Sequence, residues 1–163
     1  MTIAEWCLFG SVMLYLLTLA PTKALAPRVF DNANPRDPSF YAHPVRKRVL
    51  GAHINGIETF PFFAAAVLLA EFRNAPQDWI DGLALAFLVT RIAFVAAYVA
   101  DRPTLRTVLW NVAMAFNIGI FFLSGFGVSG AVVATLVGLS FAAALWPLLS
   151  IGAKRVMAAK SAE

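Results

Sequence analysis

The chain has 163 residues, of which 60% are hydrophobic and 13% are charged. Soluble domains average about 45–50% apolar and about 25% charged residues, so the composition excludes a water-soluble globular protein and a disordered chain. The one cysteine, Cys7, excludes a disulfide scaffold. A formal net charge of +4 from so few charged residues argues against a nucleic-acid partner.

Five apolar stretches are long enough to form membrane-spanning helices, each of which needs about 20 mostly apolar residues. In chain order they are residues 3–25, 43–72, 79–100, 105–124 and 130–152. Prolines interrupt the first three connections, and a Gly-Phe-Gly turn separates the last two stretches. The sequence therefore predicts an all-α integral membrane protein with a single membrane domain over residues 1–163.

The charges of the connecting segments predict the orientation. Basic residues outnumber acidic ones in residues 22–48, in residues 101–106 and in the C-terminal tail, whereas residues 71–81 are acidic. Basic loops face the cytoplasm, so the N-terminus is expected outside and the C-terminus in the cytoplasm. This arrangement requires all five spans, and the charge bias fits a bacterial inner membrane.

Two ionisable residues inside the predicted spans, Glu58 and Arg91, are the main indication of function. A charged side chain at the bilayer centre costs at least about 2.5–3.5 kcal/mol, so each of them needs a partner or water. A helix advances about 100° per residue, which places Asn55 and Glu58 on a common face with Arg48. The second predicted helix therefore carries a polar face.

The next two helices add polar residues near the same membrane surface. Arg91 and Tyr98 are seven residues apart and nearly eclipsed on the third helix, and Arg106 lies at the start of the fourth. Arginines bind carboxylates through two hydrogen bonds, and the Glu58 carboxylate can take an ammonium group. The pattern predicts a pocket, open to the cytoplasm, for a small anion that carries an amino group.

These residues fall in two runs that resemble the MAPEG family (membrane-associated proteins in eicosanoid and glutathione metabolism). The run RVLGAHINGIETFP at residues 48–61 is similar to the family's second-helix pattern, roughly R-x-x-R-A-x-x-N-x-x-E-x-x-P. The second run extends from Arg91 to Tyr98 and is followed by Leu105-Arg106-Thr107, which resembles R-x6-Y and then L-R-S. The resemblance implies a four-helix bundle that assembles as a homotrimer.

The resemblance also implies a ligand and its site. Glutathione would bind between neighbouring subunits, held by the side chains at five positions of this chain: Arg48, Asn55, Glu58, Arg91 and Tyr98. No metal is implied.

The same resemblance implies the chemistry. Arg106 would stabilise the glutathione thiolate, and Thr107 stands where some members carry a serine suggested to assist the reaction. The thiolate would attack a lipophilic electrophile or a lipid hydroperoxide that enters from the bilayer. The expected protein is a membrane glutathione transferase or peroxidase that uses glutathione as cosubstrate.

Two departures from the family pattern keep other functions open. Gly51 stands where the motif usually has a second arginine, so Gly51→Arg is expected to tighten glutathione binding, and the fifth helix exceeds the usual four. The alternatives are a non-catalytic lipid-binding or scaffolding protein and a small proton-coupled transporter with Glu58 as its proton site.

Simpler interpretations exist for the individual residues. Glu58 and Arg91 can form a structural ion pair between two helices. Tyr98 can be an aromatic residue of the membrane interface, and Arg106 can be a basic anchor at a helix start.

Overall fold

A computed structural model describes residues 1–125, 132–143 and 145–146. Four long helices follow one another along the chain: α1 (Ile3–Ala24), α2 (Pro44–Phe72), α3 (Gln77–Val99) and α4 (Pro103–Gly125). One turn of 3₁₀ helix (Phe40–Ala42) precedes α2, and the described residues contain no strand. The first four predicted helices are therefore confirmed, with ends within two residues of the predicted ones.

All four helices are long and apolar enough to cross a membrane. Large apolar side chains are exposed along their outer faces, including Leu17 on α1 (63% exposed) and Leu68 on α2 (58% exposed). A water-soluble bundle would bury such residues, whereas lipid accommodates them. The protein is an integral membrane protein.

The fifth predicted helix is described in part. A shorter apolar helix, α5 (Val132–Ala143), follows α4 and packs against it. Val133 is fully buried, and the rings of Phe116 and Phe141 lie 5.8 Å apart between their centroids. The rest of the predicted span 130–152, apart from residues 145–146, lies outside the described residues, so a fifth span remains a prediction.

Local sequence explains where the helices begin and turn. The hydroxyl of Thr2 accepts a hydrogen bond from the backbone N–H of Glu5, and the Glu5 carboxylate accepts one from the N–H of Thr2, which is a capping box. Asn74 and Asp101 adopt positive φ angles of 53° and 58° in the two short turns that follow α2 and α3. Asn and Asp tolerate this conformation better than most residues, so α2, α3 and α4 can form tight antiparallel neighbours.

The core sets the rotation of α2 against α3. Phe63 and Phe87 stack with their ring centroids 4.0 Å apart, and both side chains are buried. Small buried residues such as Ala66 and Ala84 let the helix backbones approach closely. This contact fixes which side chains of α2 and α3 face each other nearer the start of α2, where the polar residues lie.

Candidate functional site

A cleft of about 410 Å³ lies between the first part of α2, the end of α3 and the start of α4. Five of the seven predicted site residues line it: Asn55, Glu58, Tyr98, Arg106 and Thr107. Apolar side chains form the rest of the wall, including Phe94 and Trp110. The structure therefore brings most of the predicted polar residues into one place.

Arg106 projects from the first turn of α4 onto the ring of Tyr98. The centre of its guanidinium lies 4.4 Å from the ring centroid, a cation–π contact. The ring of Tyr98 also meets the ring of Phe94 edge to face, with the centroids 5.6 Å apart. Tyr98 is thus clamped between an aromatic residue and a cation, and it holds the guanidinium at the wall of the cleft.

Gly51 has a packing role that its position in the motif does not reveal. A Cβ atom at residue 51 would lie 2.5 Å from the hydroxyl oxygen of Tyr98 and 2.9 Å from the ring carbon that carries it. Real Cβ atoms essentially never approach other atoms this closely, so any larger residue requires Tyr98 to move. Tyr98 must therefore move before Gly51→Arg can tighten glutathione binding, and that expectation stays a prediction.

Arg91 is buried behind the cleft wall rather than lining it. Its side chain is 3% exposed, and its Nη2 donates a hydrogen bond of 2.9 Å to Oδ1 of Asn55. The guanidinium also lies over the ring of Phe94, 4.2 Å from the centroid. Because a guanidinium only donates hydrogen bonds, this contact fixes the Asn55 amide with its oxygen toward Arg91 and leaves its Nδ2 as a free donor.

Glu58 does not pair with Arg91 within the subunit. It lines the cleft, is exposed, and has no hydrogen bond or ion pair with any residue that the structure describes. The interpretation of Glu58 and Arg91 as a structural ion pair is therefore wrong for the described chain, where Arg91 bonds Asn55 instead. An unpaired carboxylate within a membrane-spanning helix requires a ligand, water or another subunit.

Arg48 contacts the end of α3 and does not line the cleft. Its Nε donates to the backbone oxygen of Val99 at 3.1 Å, and its Nη1 lies 3.3 Å from Oδ2 of Asp101. Val99 is the last residue of α3, and Asp101 lies in the turn that leads into α4. Arg48 therefore joins the start of α2 to the end of α3 and to this turn, and it is a structural contact beside the cleft.

Thr107 lines the cleft, but its hydroxyl proton is already engaged. Its Oγ1 donates to the backbone oxygen of Pro103 at 3.1 Å, one turn earlier in α4. To donate to a ligand, the hydroxyl must rotate and give up this bond. Of the two predicted catalytic residues, Arg106 is therefore the one whose polar group is free in the described structure.

The model of the MAPEG family matches residues 3–126, which is most of the chain. The chain belongs to the MAPEG family. No curated protein and no solved structure gave a significant match. The family assignment and the four helices together make this a membrane protein of a glutathione-associated family.

The sequence places Trp110 on the same helix face as Arg106 but does not identify it as a site residue. Trp110 lines the cleft and is 38% exposed. The signal was its spacing, because Trp110 follows Arg106 by four residues and so shares its helix face.

Proposed function

We propose that the protein is a glutathione-dependent transferase or peroxidase that acts on lipophilic electrophiles or lipid hydroperoxides. The observation that supports this most directly is the free guanidinium of Arg106 in the same cleft as Asn55 and Glu58. A tripeptide thiol such as glutathione carries a thiol, an ammonium group and carboxylates. A guanidinium can stabilise its thiolate, a carboxylate can bind its ammonium group, and an amide can donate to its oxygens.

Each group has a proposed partner in glutathione. The Glu58 carboxylate accepts hydrogen bonds from the ammonium group, and the free Nδ2 of Asn55 donates to a backbone or carboxylate oxygen. Tyr98 forms the wall beside them, Arg91 holds the Asn55 amide, and Arg48 supports the turn next to the site. Glutathione is the cosubstrate, and no metal takes part.

The thiol is activated by Arg106. A free thiol has a pKa of about 8.5, and a guanidinium close to the sulfur lowers this pKa because it stabilises the thiolate. The position of Arg106 in the first turn of α4 adds the positive end of the helix dipole. Both effects favour an anion at this corner of the cleft.

The transfer step is a nucleophilic substitution. The thiol first loses its proton to water, and the thiolate sulfur then donates an electron pair to the electrophilic carbon, so that a C–S bond forms. The leaving group departs with the electron pair of its bond to that carbon. With a hydroperoxide, the thiolate sulfur attacks the outer oxygen, the O–O bond breaks, and the alkoxide leaves and takes a proton from water to give the alcohol. The thiol of a second glutathione then attacks the sulfur of the resulting sulfenic acid, which gives the disulfide and releases water.

The cleft also supports a proposed homotrimer. Its outer rim carries exposed apolar residues, Ile54 (45% exposed) and Trp110 (38% exposed), next to the unpaired Glu58. A neighbouring subunit on this face would cover the rim and leave an apolar entrance for the second substrate. In the proposed orientation the N-terminus is outside a bacterial inner membrane and the cleft opens to the cytoplasm.

The test is calorimetric titration of the detergent-purified protein with glutathione, together with conjugation of an aryl halide. We expect binding at millimolar glutathione or below, with turnover. Absence of binding at millimolar glutathione would overturn the proposal and favour a lipid-binding role. Proton-coupled uptake in vesicles without thiol turnover would favour a transporter.

A further inference from the structure

A second cavity lies between α1, α2 and α3 and shares no lining residue with the cleft. Its volume is about 20 Å³. An ordered water molecule needs about 10–15 Å³ of such space, so the cavity has room for one water. Arg91 from α3 and Ser11 from α1 contribute polar groups to its wall.

Two of the residues that line this cavity each have a buried polar atom without a hydrogen-bond partner among the described residues: Nη1 of Arg91 and Oγ of Ser11. The exposed fractions of the two residues are 3% and 8%. Buried polar groups are nearly always hydrogen-bonded, to protein or to ordered water. The guanidinium is also charged, and no carboxylate within ion-pair distance compensates it in the part of the chain that the structure describes.

Ser11 differs from other hydroxyl residues of the helices. Five of them donate to the backbone oxygen four residues earlier: Thr18, Thr59, Thr90, Thr107 and Ser140. This is the common way to satisfy a hydroxyl inside a helix. Ser11 makes no such bond, so its proton and lone pairs are available to a molecule in the cavity.

The hydroxyl directions favour water over an anion. Thr18 and Thr59 also line the cavity, and both donate their protons to backbone oxygens, which leaves only lone pairs for an occupant. An anion would meet these lone pairs unfavourably. A water molecule can accept from Arg91 and donate to hydroxyl oxygens, which meets the two to four bonds that a buried water makes.

We propose that this cavity is a binding site for one ordered water molecule, which accepts a hydrogen bond from Nη1 of Arg91 and forms another with Oγ of Ser11. With Asn55 on Nη2 and Phe94 below the guanidinium plane, the water completes the surroundings of a cation held without a carboxylate. The site links α1 to α3 and does not depend on glutathione binding.

A high-resolution crystal structure in lipid is the direct test. We expect a single density peak within hydrogen-bond distance of both Nη1 of Arg91 and Oγ of Ser11. An empty cavity at a resolution that reveals other internal waters would overturn the proposal. So would an anomalous peak at this position after a bromide soak, because the occupant would then be an anion.

Thermal unfolding of two Ser11 variants gives a second test. The order of their melting temperatures differs between a hydrated and a dry cavity. In a hydrated site, Ser11→Ala removes one partner of the water, and Ser11→Val also fills its space and leaves Nη1 unsolvated. We expect the melting temperature to fall for both variants, and more for Ser11→Val. In a dry cavity, Ser11→Val would fill a void and melt above Ser11→Ala.

Thr90→Val is the matched control for the loss of a helical hydroxyl. The Thr90 hydroxyl bonds the backbone oxygen of Ala86, and Thr90 does not line the cavity. Its melting temperature should stay closer to the wild type than that of Ser11→Val. An equal drop in the two variants would contradict a water site at Ser11.

Discussion

Two groups of polar residues lie toward opposite ends of α2 and α3. They differ in how many of their polar atoms form hydrogen bonds within their own group. Where α1 and α3 begin and α2 ends, Oγ1 of Thr2 donates to Glu71 at 2.9 Å and the backbone N–H of Ala4 donates to Asp81 at 2.8 Å. Gln77 donates to Glu71 and Asp81, at 3.0 Å in each case. We call these residues the closed cluster.

In the cleft at the other end, Glu58 and the guanidinium of Arg106 have no hydrogen bond within the described subunit. Satisfied polar groups hold helices together in a membrane, where each contributes of the order of 1 kcal/mol. Unsatisfied groups at membrane depth are costly unless something else binds them. The comparison separates residues whose polar groups bond one another from residues that we propose bind a ligand.

The largest expected effect is on catalysis, from Arg106→Ala. Removing one group that stabilises developing negative charge typically lowers the rate by about 10²–10³-fold. We expect a loss of this size in kcat/KM for glutathione conjugation, greater at pH 6.5 than at pH 9, because the pKa of the bound thiol rises when the cation is removed.

Arg102→Ala is the control for Arg106→Ala. Arg102 is exposed, precedes α4, and does not line the cleft. It should retain turnover, and both variants should keep the oligomeric state of the wild type in size-exclusion chromatography with light scattering. Normal turnover in Arg106→Ala would refute the proposed thiolate activation.

Substitutions in the closed cluster should lower the stability of the protein and leave glutathione binding unchanged. Asp81→Ala removes the acceptor of the Ala4 and Gln77 hydrogen bonds, so the free energy of unfolding should fall by about 1–3 kcal/mol in a denaturing-detergent titration. Glutathione affinity should stay unchanged. Asp78→Ala, an exposed acidic position in the first turn of the same helix, is the matched control. If Asp81→Ala weakened glutathione binding and left the free energy of unfolding unchanged, the distinction between the closed cluster and the cleft would be wrong.

An intermediate effect is expected from Gly51→Ala, which places a methyl group against the Tyr98 hydroxyl. Tyr98 must shift, and the guanidinium of Arg106 on its ring shifts with it, so we expect glutathione to bind about tenfold more weakly, which corresponds to about 1.4 kcal/mol. Gly82→Ala is the matched control, because no atom lies within 4 Å of the added Cβ. Equal affinities of the two variants in calorimetry would show that Tyr98 does not set the shape of the site.

The smallest effect is expected from Thr107→Val, which removes the hydroxyl and keeps the side-chain shape. The hydroxyl proton is bonded to the Pro103 oxygen, so it contributes little to the thiolate in this geometry. We expect kcat/KM to change by less than about twofold, or about 0.4 kcal/mol. A loss of tenfold or more would mean that the hydroxyl rotates toward the substrate during the reaction.

The sequence predicted the helices well because their lengths follow from the thickness of the bilayer and their ends from Pro103 and other turn residues. Helical periodicity also placed Asn55 and Glu58 together in the cleft. The partner of Arg91 was not predictable, since it depends on the rotation of α3 against α2, which the stacking of Phe63 on Phe87 sets.

The role of Gly51 was equally hidden from the sequence. In the sequence, a glycine at this position indicates a lost contact with the ligand. Only the structure shows that the glycine leaves room for the Tyr98 hydroxyl. Trp110 shares a helix face with Arg106 in the sequence, but an aromatic residue in a membrane helix has several common roles, and only the structure places it at the cleft.

The unequal lengths of the connections bear on the order in which the bundle forms. α2, α3 and α4 are joined by the short turns at residues 73–76 and 100–102, whereas residues 25–43 separate α1 from α2. The entropy cost of closing a loop rises with its length, so the three later helices can associate first and α1 docks last. Both the closed cluster and the small cavity beside Ser11 use residues of α1. The docking of α1 is therefore the step that completes the polar interior.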